Sequence, residues 1–307
     1  MRKNIPVYVV AVLVIGTFLF FSSYTGQPPE NKNNTANRTS QESLPQVVQA
    51  IKIPGDVNLA GEYVPLENFD AKERLDREFM VNCYWHSSTL SNLKYANRYF
   101  PIIERVLAEN GVPDDFKYLA VAESSLRNAV SPAGARGIWQ FMESSAKAYG
   151  LQINKDIDER YHIEKATKAA CKYLKNAKAK FGTWTMAAAS YNMGETRLRR
   201  LVTNQKQNKY YDLEMNGETS RYVSRIIAIK EIMKNPTLYG FYLDSDDYYP
   251  SLEGHRVIEV SSPVASWADF AQRHGTTYRM LKVYNPWLRT GSLTSTGGKT
   301  YKVALPY

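Results

Sequence analysis

Between Phe69 and Lys234 apolar residues recur at helical spacing almost without a break, so this stretch is expected to build a mainly helical domain. Leu75, Phe79 and Asn82-Cys83 mark one helix, and Tyr99, Ile102, Ile103, Val106 and Leu107 mark another that Gly111 ends. Tyr222, Val223, Ile226, Ile229 and Met233 form a later stripe that stops before Pro236. A shorter helix reads from Pro113-Asp114-Asp115, where an acidic side chain caps free amides and suits the positive end of the dipole. In it Phe116, Leu119, Ala120 and Glu123 fall at i, i+3, i+4 and i+7, which sets a carboxylate on an apolar face. Burial disfavours the charged form, so the pKa of Glu123 is expected to rise toward neutrality, as suits a general acid. The same pattern fits a partly buried Glu satisfied by a backbone amide or an Arg.

The loop after Glu123 favours the chemical reading. Ser131-Pro132-Ala133-Gly134-Ala135-Arg136-Gly137 is turn-rich and allows close backbone approach, and Ile138-Trp139-Gln140-Phe141-Met142 then sets aromatic and thioether surface beside an amide. Stacking faces beside amide hydrogen-bonding groups are what a sugar chain needs from a cleft. Neither the two Cys nor the four His show metal-ligand spacing, and no Gly-rich phosphate loop is present, so no metal or cofactor is expected. Cys83 and Cys171 lie outside every motif and read as two buried thiols or one bridge.

Charge and the amino terminus bear on partners and compartment. The formal charge is +9, and residues 256–307 carry seven Lys or Arg against two acids. An acidic polymer fits such an excess, as does an ordinary solvated surface, and no nucleic-acid motif accompanies it. Arg2-Lys3 precede an apolar run from Ile5 to Phe21, the pattern of an export signal or a single anchor. Ser22-Ser23-Tyr24 is a poor cleavage site, which favours an uncleaved anchor. Residues 1–25 are therefore expected to be a signal peptide or membrane anchor, and 26–46, rich in Asn, Ser, Thr, Gln and Pro, a polar, disordered linker. Val47 to Asn68, broken by Pro54-Gly55, Gly61 and Pro65, is expected to lie extended along the surface without chemistry of its own.

ESSLRNAVSPAGARGIWQFMESSAKAYGL at 123–151, AAASYNMG at 187–194 and ETSRYV at 218–223 occur in order. Together they resemble the catalytic core of the soluble-lytic-transglycosylase-like family and, within it, the membrane-bound lytic murein transglycosylases of the D type. Residues 75–124 also look like this subgroup. The resemblance implies a lysozyme-like catalytic domain over 47–250. Its substrate would be peptidoglycan glycan strands in the bacterial cell envelope, on the periplasmic side.

It also implies roles. Glu123 would protonate the bond between N-acetylmuramic acid and N-acetylglucosamine, then accept the proton of the muramic C6 hydroxyl as a 1,6-anhydro ring closes. Ser131 would hydrogen-bond the N-acetyl group, although a helix cap is an equal reading of it. Gln140 and Met142 match cleft residues, Tyr191 the tyrosine that orients the carboxylate, and Asn192 a support for that loop. Ser190 stands where the family usually has Ala. Glu218 matches the Glu that opens the last motif's helix, or is a first-turn Glu stabilised by the dipole. An ordinary glycosidase needs a second carboxylate about 5–5.5 Å or about 6.5–9.5 Å away. Glu143, Asp156, Asp158 and Glu195 are expected to be surface charges instead. A lysozyme-type muramidase and a non-catalytic wall-binding anchor are the competing readings.

The tail reads as a second unit at 255–307. His255 to Val260 alternates as a strand, Ser262-Pro263 would open a helix closed by Gly275, Thr276 or Thr277 caps another through Tyr284, and Tyr301 to Leu305 returns as a strand. This small α+β, βααβ order resembles a LysM peptidoglycan-binding module, without the usual Gly-Asp before the first helix and with Ser295 to Lys299 replacing a more typical loop. The alternative is a helical pair that merely packs on the catalytic domain. Trp267 and Trp287 read as core rather than sugar platforms.

Overall fold

Asn68 starts the first long helix by turning its side-chain oxygen onto the amides of Asp70 and Ala71, at 3.0 and 3.4 Å. In the computed structural model, which describes residues 49–307, that helix is α1 (Phe69–Tyr84) and is followed by α2 (His86–Glu109) and α3 (Phe116–Ser124). Next come α4 (Glu143–Ala148), α5 (Ile163–Phe181), α6 (Trp184–Met193), α7 (Glu195–Gln205) and α8 (Thr219–Lys234). The helical stripes read from sequence are all present. The expectations for residues 1–25 and 26–46 fall outside the described residues, and no described helix is long and apolar enough to cross a membrane.

The helix α8 is the axis of the helical part. It packs against α1, α3 and α6. Tyr222, Val223, Ile226, Ile227, Ala228 and Ile232 are buried on more than one side of it, as a core helix requires. Even its Lys230 is buried, and the ammonium is held by the Asp115 carboxylate at 2.7 Å and the Asn58 carbonyl at 3.0 Å. This corrects the capping role expected of the Asp pair ahead of α3. Asp115 makes no side-chain cap, because its carboxylate is engaged by Lys230 and by the Ala60 amide.

Residues 49–68 also differ from expectation. They form a short hairpin, β1 (Asn58–Leu59) with β2 (Glu62–Tyr63), turned through Ala60 and Gly61 at φ 54° and 77°. Val57, Leu59 and Val64 are core residues, so this segment is not a surface strand. Glu62 has a definite job: its carboxylate accepts from the amides of Trp184 and Thr185 and closes the N-terminus of α6.

The C-terminal part has the expected strand, helix, helix, strand order. Strand β3 (His255–Val260) pairs antiparallel with β4 (Tyr301–Pro306), with Val257 opposite Ala304, around α9 (Trp267–Arg273) and α10 (Tyr278–Tyr284). Thr277 caps α10, but α9 opens later than expected, at Ser266, whose hydroxyl accepts from the Asp269 amide at 3.1 Å. Ser262-Pro263 sits before that cap, where Val264 bridges to Leu293 instead of turning helical. Trp267 and Trp287 are buried core.

This module does not close its own core. Ile157 and Tyr161, from the loop before α5, belong to the same apolar cluster as Trp267, Leu281, Trp287 and Val303. The Asp158 amide donates to the Trp287 carbonyl at 2.9 Å and Ile157 bridges to Leu288. Asp156 is buried rather than a surface charge, and its carboxylate accepts from Thr290 Oγ1 at 3.0 Å and from Thr294 N and Oγ1 at 2.8 and 2.5 Å. These bonds hold its carboxyl below the usual range. Asp158 is also buried, paired bidentately with Arg160 at 2.9 and 2.7 Å. Glu143 and Glu195 do pair with surface lysines, Lys147 and Lys180. Residues 49–307 form one compact unit, and both cysteines are buried free thiols.

Candidate active site

Glu123 lies on the last turn of α3, and the chain leaves that helix through Ser125 and Leu126, both left-handed at φ 53° and 55°. This turn aims the following loop back over the helix end. Ser124 Oγ donates to the Ile138 carbonyl at 2.8 Å and ties the two together. The loop is fixed further by bridges of Arg136 with Val130 and Phe141. Buried Arg160, held by Asp158, donates to the carbonyls of Gly134 and Phe141 at 3.3 Å. Gly137, at φ 79°, crosses Arg160 so closely that a Cβ there would lie 2.0 Å from the Arg160 carbonyl oxygen.

The Glu123 carboxyl is pushed up to about 7, chiefly by burial. The Tyr222 hydroxyl donates to Glu123 Oε1 and pulls the value down, the Glu218 charge pushes it up, and Arg225 pulls it down. Arg225 is itself held by Glu78, a buried carboxylate of α1 that also meets Arg221 and Arg77. Glu78 therefore fixes both arginines flanking Tyr222 on α8. A group titrating near neutrality can release a proton and take one back at physiological pH. The glycan cleavage that the resemblance implies should accordingly fall on an alkaline limb above about pH 7, as Glu123 loses its proton. Initial rates of sacculus solubilisation from pH 5 to 9 would show it, and a flat profile through pH 8 would contradict it.

Tyr191 takes a different part from the one implied by resemblance. Its hydroxyl donates to the Trp139 carbonyl at 2.7 Å rather than to Glu123, and its ring meets Trp139, Phe141 and Tyr173 edge-on. Burial and then the Glu123 charge push its phenol well up, so the two groups are neighbours, but Tyr191 holds the loop. Asn192 links two helices: its oxygen accepts from Thr219 Oγ1 at 2.7 Å and its amide reaches Glu218 at 3.4 Å. Glu218 stands ahead of α8 without capping it. Gln140, at φ 48°, donates to the carbonyls of Ala129 and Gly137. Ser131 caps no helix; its hydroxyl accepts from Ala135 N at 3.0 Å and closes its own turn. Met142 is exposed just before α4.

Tyr222 is the residue that sequence reasoning missed as a site group. It lies both in the apolar stripe and in the ETSRYV motif, where only Glu218 was given a role, yet it carries a hydroxyl four residues after Glu218 on the same helical face. Tyr222→Phe keeps the packing and removes one hydrogen bond to a carboxylate, about 1.5–3 kcal/mol in general. A tenfold to hundredfold loss of rate, with the alkaline limb moved to higher pH, is expected. An unchanged limb would mean that Tyr222 only packs.

Two segments of the chain match known sequence-family models, and Glu218 and Tyr222 lie between them. Residues 100–213 match the transglycosylase SLT domain, and residues 256–307 match the soluble lytic transglycosylase C-terminal LysM-like domain. The chain is 29% identical over 237 residues, 75% of its length, to the membrane-bound lytic murein transglycosylase D of Escherichia coli, strains K12 and CFT073. It is also 36% identical over 104 residues to the peptidoglycan transglycosylase gp16 of Escherichia phage T7, covering 33% of this chain and 8% of that one. The chain spans about half, 51%, of the length of the E. coli relatives it matches.

Proposed function

We propose that the protein is a peptidoglycan lytic transglycosylase, a carbon-oxygen lyase acting on the β-1,4 bond between N-acetylmuramic acid and N-acetylglucosamine. The observation that carries this reading is a single carboxyl, Glu123, poised near neutrality and aimed by the Tyr222 hydroxyl. Glu123 would give its proton to the leaving glycosidic oxygen. The resulting carboxylate would take the proton of the muramic C6 hydroxyl as that oxygen bonds to C1, with the substrate's N-acetyl carbonyl assisting. One C–O bond breaks, one forms, and no water is consumed.

Ser131, Gln140 and Met142 would contact the sugar, on the strength of their motif positions, while Tyr191 and Asn192 keep the walls in place through Trp139 and Thr219. The N-terminal run at 5–21 would hold the enzyme at the periplasmic side of the envelope, with catalytic and wall-binding parts at 47–250 and 255–307. One observation favours a second reading. Glu218 is close enough to act on the Glu123 charge, so a muramidase using Glu218 as base is its specific form. Mass spectrometry of fragments released from purified sacculi separates the two: non-reducing 1,6-anhydro ends support the lyase, and reducible ends heavier by one water support the hydrolase.

A further inference from the structure

One face of α5 is a line of cations that the catalytic site does not use. Lys165, Lys168, Lys172 and Lys175 recur at i, i+3, i+7 and i+10, so they share one side of the helix, and all are exposed. At 1.5 Å per residue the line is about 15 Å long. It runs along a chain of grooves. A 570 Å³ cavity between α5 and the C-terminal module is lined by Lys165, Lys168 and Lys302. A 300 Å³ groove shares Lys165 and Lys168 with it and adds Lys172 and Lys299. A third, of 540 Å³, shares Lys172 and adds Lys175.

The charge along this track is uneven. Lys165 and Lys168 are answered by Glu159 and Glu164. Among the described residues Lys172, Lys175, Lys299 and Lys302 have no carboxylate within 4 Å; Lys175 donates to the Asn110 carbonyl at 3.0 Å and Lys299 to Gln152 Oε1 at 3.1 Å, so these outer charges are hydrogen-bonded or solvated but not neutralised. The first groove has an apolar side as well, from Ile102, Ile163 and Val257. Cations spaced along a groove with small apolar surfaces fit a flexible polymer that carries repeated carboxylates beside methyl-sized groups.

We infer that the α5 track binds the carboxylate-bearing stem peptides of peptidoglycan, outside the site of cleavage. This rests on the proposed function for the identity of the polymer. The peptides of strands not being cut would then hold the enzyme on the wall, and the local concentration of cleavable bonds would rise without any change in the bond-breaking step.

The test uses the full chain carrying Glu123→Gln, so that sacculi stay intact, with and without Lys172→Gln, Lys175→Gln and Lys302→Gln together. These are exposed positions with no carboxylate partner, and a thermal melt checks that the fold is kept. Co-sedimentation with purified sacculi should weaken at least tenfold in the triple variant at low salt. Its dependence on NaCl should also flatten. Sacculi stripped of peptides by an amidase should hold the parent as weakly as intact sacculi hold the triple variant. Equal binding of parent and triple variant would overturn the inference, as would full binding to peptide-free glycan. A lysine effect seen only with vesicles of anionic phospholipid would overturn it too, because the partner would then be a phosphate surface. Binding is read without turnover, so failure here leaves the catalytic reading standing, and failure of that reading leaves this result interpretable.

Discussion

Glu123→Gln should lower the release of soluble fragments from purified sacculi by about a thousandfold or more, within the range general acid-base catalysis supplies when both transfers depend on one group. The amide keeps the size of the side chain and can still accept from Tyr222, but it can neither give the acid proton nor take one back. The same change should stabilise the protein at alkaline pH. The folded-state pKa of Glu123 lies above its ordinary value of 4.5, at about 7. Its contribution to stability is therefore full below about pH 4.5 and is lost as pH rises through about 7. Each pKa unit is worth about 1.4 kcal/mol, so the variant should gain on the order of 3 kcal/mol over the parent at pH 8 and little at pH 4. A folded variant with near-normal turnover would contradict the assignment. A variant that is inactive but no more stable at pH 8 would contradict the burial of the carboxyl.

Gly137→Ala should be the most damaging small substitution in the loop. The added Cβ would lie 2.0 Å from the Arg160 carbonyl oxygen and 2.8 Å from its carbon; the Arg160 amide donates to the Asp158 carboxylate, and the Asp158 amide is in turn held by the Trp287 carbonyl. Neither side can give way cheaply. A loss of more than about 4 kcal/mol, or failure to fold, is expected for overpacking against fixed backbone. Gly134→Ala is the control, since it has a similar φ of 88° but nothing within 4 Å of the new Cβ. It should cost only the left-handed penalty, about 1–2 kcal/mol. Denaturant melts of the two variants check this, and equal losses would show that the Arg160 contact is not what matters at Gly137.

How much of this was legible in the sequence divides along the range of the interactions. The long helices and the apolar stripe ending in Glu123 depend on residues three and four apart, and they appear where the periodicity puts them. Gly137 was legible as a close-approach glycine, but not what it approaches, because Arg160 lies across a loop. Asp156 read as a surface charge for the same reason, since Thr290 and Thr294 reach it only when the loop before α5 inserts into the C-terminal module. Asp158 pairs with Arg160 only two residues on, and what the sequence does not display is that this pair is buried. Asp115 looked like a helix cap until Lys230, more than a hundred residues later, engaged its carboxylate. Tyr222 was hidden differently: its packing role is real, and its hydroxyl becomes a site group only because α3 and α8 pack side by side. The motif at 187–194 gave Tyr191 its place beside the site, while the bond it makes, to the Trp139 carbonyl, is a fact of the folded loop.

The two-part architecture also has a consequence for binding. Ile157 and Tyr161 complete the C-terminal core, so residues 256–307 on their own would expose the cluster that those two side chains cover. The proposed wall binding is therefore best measured on the whole chain, where the module is held against the loop before α5 and shares a groove with the α5 lysines.

The central claim, that one carboxyl cleaves the glycan by passing the substrate's own hydroxyl to the broken bond, is tested most directly by digesting purified sacculi in isotopically labelled water. Released fragments are then examined by mass spectrometry at the cleaved muramic carbon. The lyase route through Glu123 predicts 1,6-anhydro ends with no heavy oxygen at that carbon. Predominantly labelled, reducible ends would contradict it and give the second role to a water-activating base.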